Sequence, residues 1–162
     1  MYKLLLIFII FILLGSGCSA TKDVDLNLVN IRDALWQTGN ELEWTSGVME
    51  QDPRKENHYG NSHMVYSEYQ EKGLTTERNS VEVIEFETVL HADRAYGEEE
   101  CFKGKGELIT ISGIDGCCLT DMKEKTSEVV MLKDKYIFRA FDYFYPGCRA
   151  EDYLRRFWDN LE

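Results

Sequence analysis

Residues 129–144 read VVMLKDKYIFRAFDYF, and this stretch decides the fold. Two apolar runs, 129–132 and 136–144, are rich in the β-branched and aromatic residues that are enriched in strands. They are joined tightly at Lys133-Asp134. Two such runs with a short polar connection are typical of a β-hairpin. The stretch therefore predicts two adjacent antiparallel strands late in the chain.

The second of these strands carries aromatic side chains on both faces, because successive residues of a strand point to opposite sides. One face holds Ile137, Phe141 and Tyr143. The other face holds Tyr136, Phe138 and Phe144. One face must therefore be covered by a helix, a second sheet layer or a partner. We expect buried core rather than an exposed aromatic ligand surface, since large exposed apolar patches are rare.

The chain closes on residues 150–161, which read AEDYLRRFWDNL. Apolar residues recur here at helical spacing: Ala150, Tyr153, Leu154, Phe157, Trp158 and Leu161. This spacing traces one stripe along a helix with 3.6 residues per turn. It predicts a strongly amphipathic closing helix, with Phe157 and Trp158 in the core rather than on a binding surface.

The middle of the chain has the composition of strands connected by turns. Further strands are predicted over 63–70, 80–90 and 108–111, with strand-like alternation at Leu42, Trp44 and Ser46. Within 80–90, Val81 and Val83 fall on one face, and Ile84, Phe86 and Leu90 on the other. Polar segments rich in glycine or proline predict loops or turns over 52–61, 73–79 and 113–116.

Two more segments have helical periodicity, from Val24 to about Gly39 and over 92–102. Strands in meander order with two or three helices predict an α+β fold. We expect one domain over residues 26–162: a mostly antiparallel β-sheet with the helices packed on one face, including the amphipathic C-terminal helix. The sheet's apolar face is the expected partner of the helical stripes.

The first residues have a different composition, typical of an export signal. A start with one positive charge at Lys3 precedes an unbroken apolar run over 4–14 and the small residues of 15–17. These features describe a secretory signal peptide. A spanning helix needs about 20 apolar residues, so this run is too short to cross a bilayer. We therefore predict a signal peptide over 1–17, with an uncleaved anchor as the alternative.

The cysteine after this segment predicts the type of signal. The sequence Gly15-Ser16-Gly17-Cys18 is similar to a lipobox, although the leucine, Leu14, lies four positions before the cysteine instead of three. Cys18 is accordingly the predicted lipidation site, followed by a tether over 18–25. The expected location is the extracytoplasmic face of the cell membrane, with the lipid anchor as the contact to the bilayer. Ordinary cleavage after Gly17 or Ala20 would instead give a secreted protein.

Charge limits the classes of partner. The chain has 18 Lys and Arg against 29 Asp and Glu, a formal net charge of −11. Nucleic-acid binding depends on clustered basic residues that neutralise phosphates, so we expect no nucleic-acid partner. The same charge opposes electrostatic adsorption to anionic lipid. We expect the body of the protein to stand off the membrane, held only by its anchor.

The remaining cysteines predict disulfides. Five cysteines leave an odd one, and lipidation of Cys18 leaves four that can pair evenly. In an oxidising compartment we expect two bridges among Cys101, Cys117, Cys118 and Cys148. A bridge between the neighbours 117 and 118 is disfavoured, which leaves 101–117 with 118–148, or 101–118 with 117–148. A thiolate metal site or a redox pair is the weaker alternative, because no Cys-x-x-Cys is present.

The order of these motifs resembles a known group. A strand reading VEVIEF (81–86) leads into a segment opening HADRAY (91–96), then a GIDG turn (113–116), the late hairpin and the C-terminal helix. This resembles small surface lipoproteins of bacteria and archaea, whose domain is an α+β sandwich similar to the PsbP/Mog1-like class. The resemblance covers about residues 80–162 and consists of hydrophobic patterns. It implies this fold and a surface location, and it carries over no activity and no cysteine pattern.

No residue pattern in the sequence indicates catalysis. His58, His63 and His91 lack ligand spacing, Gly104-Lys-Gly106 is too short for a phosphate cradle, and no serine-nucleophile motif occurs. We therefore predict no catalytic residue, no metal and no cofactor. The expected function is a non-enzymatic module that binds an envelope protein or a small ligand. The alternatives are an enzyme acting on envelope material through scattered residues, and a purely structural envelope component.

Overall fold

The computed structural model of the protein describes residues 24–45, 47–51, 62–72, 75–99, 101, 106–143 and 149–162. Within them lie three helices and seven strands. In chain order they are α1 (Leu28–Glu41), β1 (Val48–Gln51), β2 (Ser62–Lys72), β3 (Thr75–Glu85), α2 (Val89–Gly97), β4 (Glu107–Ile111), β5 (Ile114–Asp121), β6 (Thr126–Lys133), β7 (Tyr136–Asp142) and α3 (Arg149–Leu161).

The seven strands form one sheet in the order β1-β2-β3-β7-β6-β5-β4, and every neighbouring pair is antiparallel. The predicted α+β class and the mostly antiparallel sheet are therefore confirmed. The β6–β7 hairpin is also confirmed, with its turn at Asp134 and Lys135, because Lys133 pairs with Tyr136. Asp134 has a φ of 54°, the left-handed conformation that a two-residue hairpin turn requires.

Helices α1 and α3 cover one face of the sheet, called the main face below. α1 begins at the cap Asn27, whose side-chain oxygen accepts the backbone N–H groups of Val29 and Asn30. Six apolar residues of these helices are fully buried on the sheet: Ile31, Leu35, Ala150, Leu154, Phe157 and Trp158. The ring of Phe138 lies 5.7 Å from that of Phe157 and 4.9 Å from that of Trp158. The core placement of both closing aromatics is thus confirmed.

Two buried polar residues of the sheet hold the start of α3. Ser127 and Asp142 are cross-strand partners on β6 and β7. The Ser127 hydroxyl accepts the backbone N–H of Ala150 at 3.2 Å, and Asp142 accepts the hydroxyl of Tyr153 at 3.1 Å. Since the first N–H groups of a helix have no partner within the helix, the Ser127 contact satisfies one of them. The strand ends and the helix start are therefore fixed together.

Helix α2 lies on the opposite face, called the reverse face, so the prediction that all helices pack on one face is wrong. Ala92 of α2 is buried against Phe86, Val130 and Ile137. The physical reason is the alternation noted in β7: Ile137 points away from the main face and needs its own cover. A nine-residue helix supplies this cover for only part of the reverse face.

Several predicted boundaries differ from the structure. Leu42 and Trp44 belong to the turn that ends α1, where Glu43 adopts a φ of 57°, and not to a strand. β3 extends over most of the predicted turn at 73–79, because Thr75 is already paired with Lys72. Residues 114–121 form the strand β5 instead of starting with a turn over 113–116.

The predicted strand over 80–90 and the helix over 92–102 also have different limits. β3 ends at Glu85, and α2 begins at Val89, so Leu90 is an exposed helical residue. The predicted loop over 52–61 lies outside the described residues. At the N-terminal side, Val24 already packs against the core, although the predicted tether extends to Asp25.

A glycine in α1 allows a close contact between helix and sheet. The ring of Tyr66 on β2 is almost fully buried against Trp36 and Trp44, with centroid distances of 6.1 and 5.9 Å. A Cβ atom at Gly39 would lie 2.1 Å from ring carbons of Tyr66. The helix can therefore approach the sheet here only because this position has no side chain.

We predict that Gly39→Ala lowers the free energy of unfolding by about 1–3 kcal/mol, because the added methyl group overlaps a confined ring. The matched control is Gly97→Ala at the end of α2, where nothing lies within 4 Å of the added Cβ. That variant should be neutral or gain up to about 1 kcal/mol from helix propensity. Urea melts of both variants measure the difference. Equal stability of the two variants would contradict the assigned contact.

Candidate functional site

A disulfide joins Cys101, which follows α2, to Cys117 in the middle of β5. This excludes the pairing of 101 with 118. Cys118 is disulfide-bonded as well. The other two cysteines, Cys18 and Cys148, lie outside the described residues, so the pairing of 118 with 148 stays a prediction.

The adjacent half-cystines point to opposite faces of the sheet, as predicted for neighbours in an extended segment. Cys117 is the cross-strand partner of Val130, on the reverse face. Cys118 is the partner of Val129 and belongs to the main-face core. The first bridge therefore ties the chain that follows α2 to the reverse face of an outer hairpin, β4–β5.

Gly106 makes room for this bridge. Its backbone N–H donates to the carbonyl oxygen of Cys101 at 3.3 Å. A Cβ atom at this position would lie 2.2 Å from the sulfur of Cys117 and 2.6 Å from that of Cys101. The glycine that is too isolated for a phosphate cradle therefore has a packing role: it lets the backbone pass directly over the two sulfurs.

The reverse face divides into three zones along the strands. The zone beneath α2 is apolar and contains Ile84, Val130 and Ile137. Next to it lies a band of charges around Arg139, described below. Beyond this band, towards the β5–β6 turn, α2 no longer covers the sheet. We call this sheet end, with the turn at 122–125, the distal end.

The charged band is centred on Arg139, which is only about one-fifth exposed. Its guanidinium pairs with Glu99, at the end of α2, and lies 3.2 Å from Glu128 on the neighbouring strand. Glu82 is its cross-strand partner on β3. Because a partly buried charge requires compensation, these carboxylates allow an arginine to lie within an otherwise apolar strand. In the sequence, the signal for this band is Arg139, the one charged residue in the otherwise apolar run 136–141.

An open cleft lies beyond the charged band, at the distal end, and has a volume of about 140 Å³. Its described side chains include Leu119, Glu128, Phe141 and Tyr143. The first three are cross-strand neighbours on β5, β6 and β7, so the strand register places them side by side. The guanidinium carbon of Arg139 lies 5.7 Å from the centre of the Phe141 ring, within range of a cation–π contact. We call this site the distal cleft.

The size and chemistry of the distal cleft suit binding of a small group. Sites for drug-sized ligands and cofactors have volumes of about 300–1,000 Å³, which is larger than this cleft. Its carboxylates already have structural roles. Asp121 accepts the backbone N–H groups of Lys123 and Glu124 at 2.8 and 3.1 Å, and Glu128 pairs with Arg139. The site thus offers an apolar and aromatic floor with an acidic rim.

Other predicted site residues are not brought together. His91 lies in α2, His63 lies in β2, and His58 is outside the described residues. In the described ranges, no group of three His, Cys, Asp or Glu side chains could hold a metal ion. Within the same ranges, no helix is long and apolar enough to cross a membrane. Cys18, the predicted lipidation site, is also outside them.

The opposite end of the sheet, the proximal end, receives the N-terminal segment. Val24 and Leu26 pack against the core beside the β6–β7 turn. The hydroxyl of Tyr136 lies 3.3 Å from the carbonyl oxygen of Leu26 and donates to Glu85 at 3.1 Å. Burial, then the hydrogen bond to Glu85, raises the pKa of Tyr136 to about 12. This hydroxyl stays protonated at neutral pH and joins β7 to Glu85 on β3.

We predict that the double substitution Cys101→Ala with Cys117→Ala lowers the free energy of unfolding by about 3 kcal/mol, because the bridge closes a loop of roughly 16 residues. The bridge to Cys118 stays intact in this variant, so the change in the free energy of unfolding reports on the first bridge alone. Denaturant melts without reductant measure the change. A loss below about 0.5 kcal/mol would show that the first bridge contributes little to the fold.

Comparisons of the chain with protein-family models, with curated proteins and with solved structures found no match. The similarity to small surface lipoproteins with a PsbP/Mog1-like domain therefore stays a prediction from the sequence patterns.

Proposed function

We propose that this chain is a membrane-anchored extracytoplasmic lipoprotein that acts as a non-enzymatic binding module. Its lipid is attached at Cys18, after removal of the signal peptide over 1–17. The distal cleft receives a small apolar or aromatic group of an envelope protein or of a small ligand. In this proposal the chain contacts the bilayer through its anchor and has no nucleic-acid partner.

The disulfide between Cys101 and Cys117 is the observation that carries the location. Disulfides persist in oxidising compartments and are rare in the cytosol, where thiols are kept reduced. Two neighbouring half-cystines, each in a bridge, support folding outside the cytoplasm. The apolar run over 4–14 and the small residues before Cys18 supply the matching route of export.

The distal cleft supports binding rather than catalysis. Of its carboxylates, Asp121 accepts backbone N–H groups of a turn, Glu128 pairs with Arg139, and Asp142 accepts a hydrogen bond from the Tyr153 hydroxyl. The hydroxyl of Ser127 accepts a backbone N–H at the start of α3. A general base needs a hydrogen-bond path to the proton that it removes, and these groups are committed to the fold. The apolar floor formed by Leu119, Phe141 and Tyr143 remains available to a ligand.

Replacing Cys18 by serine should release the protein from the membrane fraction, because the proposed anchor is a thioether-linked lipid. Durable anchoring requires more than one acyl chain, and the serine variant carries none. Fractionation of cells expressing either form measures the distribution. Gly17→Ala keeps a small residue before the cysteine and serves as the control that should stay membrane-bound. Sedimentation of the serine variant with membranes would support an uncleaved apolar helix instead.

The binding role is tested by a photoreactive group at the rim of the distal cleft. Tyr143→p-benzoylphenylalanine, irradiated in intact cells, should give one adduct of discrete mass, because this side chain borders the cleft. The same amino acid at exposed Asp93 on α2 is the matched control and should give none. Adding Leu119→Arg fills the cleft and should abolish the adduct. An adduct that persists with Leu119→Arg, or no adduct at residue 143, would contradict the role of the cleft.

A further inference from the structure

The proximal end holds the chain firmly from residue 24 onward. Val24 and Leu26 pack on the core, and the Leu26 carbonyl oxygen lies 3.3 Å from the hydroxyl of Tyr136. Only residues 19–23 separate Cys18 from this point. A chain extends by at most about 3.6 Å per residue, so Cys18 lies within roughly 22 Å of Val24. The anchor therefore keeps Val24, and with it the proximal end, within roughly 22 Å of the bilayer surface.

The first turn of α2 adds exposed apolar residues to this same end. The backbone N–H of Phe86 donates to the carbonyl oxygen of Lys135 in the β6–β7 turn at 2.8 Å, which places the start of α2 there. Val89 and Leu90 follow, 52% and 57% exposed. The first turn of α2 contains no acidic residue. Two adjacent large aliphatic side chains in a solvent-facing helical turn are unusual for a chain with a net charge of −11.

The distal cleft lies at the other end of the same strands. β6 runs from Thr126, beside the cleft, to Lys133, beside the proximal turn. Seven steps of about 3.3 Å separate the two ends by roughly 23 Å. Because both ends belong to the same strands, the orientation of the proximal end on a surface also fixes the orientation of the distal cleft.

We infer that the proximal end rests on the lipid surface, with Val89 and Leu90 in contact with the bilayer and the distal cleft facing away from it. This inference rests on the proposed lipid anchor at Cys18. The contact is apolar rather than electrostatic, because acidic Asp25, Glu87 and Asp134 are exposed near this end. The lipid anchor supplies the attachment, and the aliphatic pair fixes the orientation. The body of the protein then touches the membrane instead of standing off it.

The test uses the mature lipidated protein in phosphatidylglycerol and phosphatidylethanolamine vesicles, with plain or brominated acyl chains that quench indole fluorescence. Leu90→Trp reports on the proximal end, and Met122→Trp, at a distal position that is 68% exposed, is the matched control. The unsubstituted protein gives the background from Trp36, Trp44 and Trp158. Val89→Trp repeats the measurement, so a folding failure of one variant leaves the test intact.

The emission added by Leu90→Trp should fall at least about twofold in brominated vesicles, since apolar groups bound at an interface lie near the acyl chains. That of Met122→Trp should change little. Equal quenching of both reporters, or none at residues 89 and 90 in protein that floats with the vesicles, would overturn the inference and leave the anchor standing. Protein that fails to float would refute the anchor and the orientation together. The Cys18→Ser protein could also form a dimer that dissociates when Leu90→Asp is added. That result would assign Val89 and Leu90 to an interface with a second copy of the chain and overturn the inference.

Discussion

The structure depends on the burial of β7 on both of its faces. This strand is the fourth of seven and lies between β3 and β6, so both of its edges are paired. Phe138 and Ala140 are buried on the main face, and Ile137 is buried on the reverse face. A strand with these residues cannot be stable at the surface of a single-layered sheet, because one set of apolar side chains would stay in water. Helices on both faces satisfy this requirement.

The helices cover the two faces of the sheet to different extents, and this difference creates the candidate site. α1 and α3 together extend along the main face, whereas α2 has nine residues and covers one part of the reverse face. Where α2 ends, the arginine of β7 pairs with Glu99, which follows α2, and with Glu128 of β6. Beyond it, none of the described helices covers the floor of the sheet, which lines the distal cleft. The charged band therefore separates a buried apolar zone from an accessible one, and it prevents the apolar surface from being continuous.

Sequence periodicity predicted the elements whose contacts repeat locally. The hairpin at β6–β7 and the closing helix follow from alternation and from a regular stripe, and α1 follows from Ile31, Leu35 and their neighbours. The polar first half of β3 was missed, because its pairing with β2 is what makes Thr75 and the residues after it a strand. Leu42 and Trp44 imitate strand alternation, but Trp44 is buried against Tyr66 and Tyr153 as part of a turn. Such assignments depend on tertiary contacts that periodicity does not encode.

The site was predictable only in part. The aromatic residues Phe141 and Tyr143 were found on one face of the strand, and the alternation itself required a cover for that face. The extent of the cover was not predictable, because it depends on where α2 ends. Glu99 reaches Arg139 across forty positions of sequence, and no local pattern reports such a contact. The pairing of Cys101 with Cys117 rather than with Cys118 likewise depends on which face of β5 meets the chain after α2.

The adjacent half-cystines have a consequence for how the outer hairpin reaches its final alignment. A slip of β5 by one residue would exchange the faces of Cys117 and Cys118, because side chains alternate with a period of two. Cys101 would then meet the wrong sulfur, and the oxidised product would differ in connectivity from the native one. The β4–β5 hairpin is joined to the rest of the sheet only through the pairing of β5 with β6, because β4 is an edge strand. The disulfide connectivity thus depends on the register that the hairpin had when the cysteines were oxidised. Thiol–disulfide exchange can convert a molecule with the wrong connectivity into the native one.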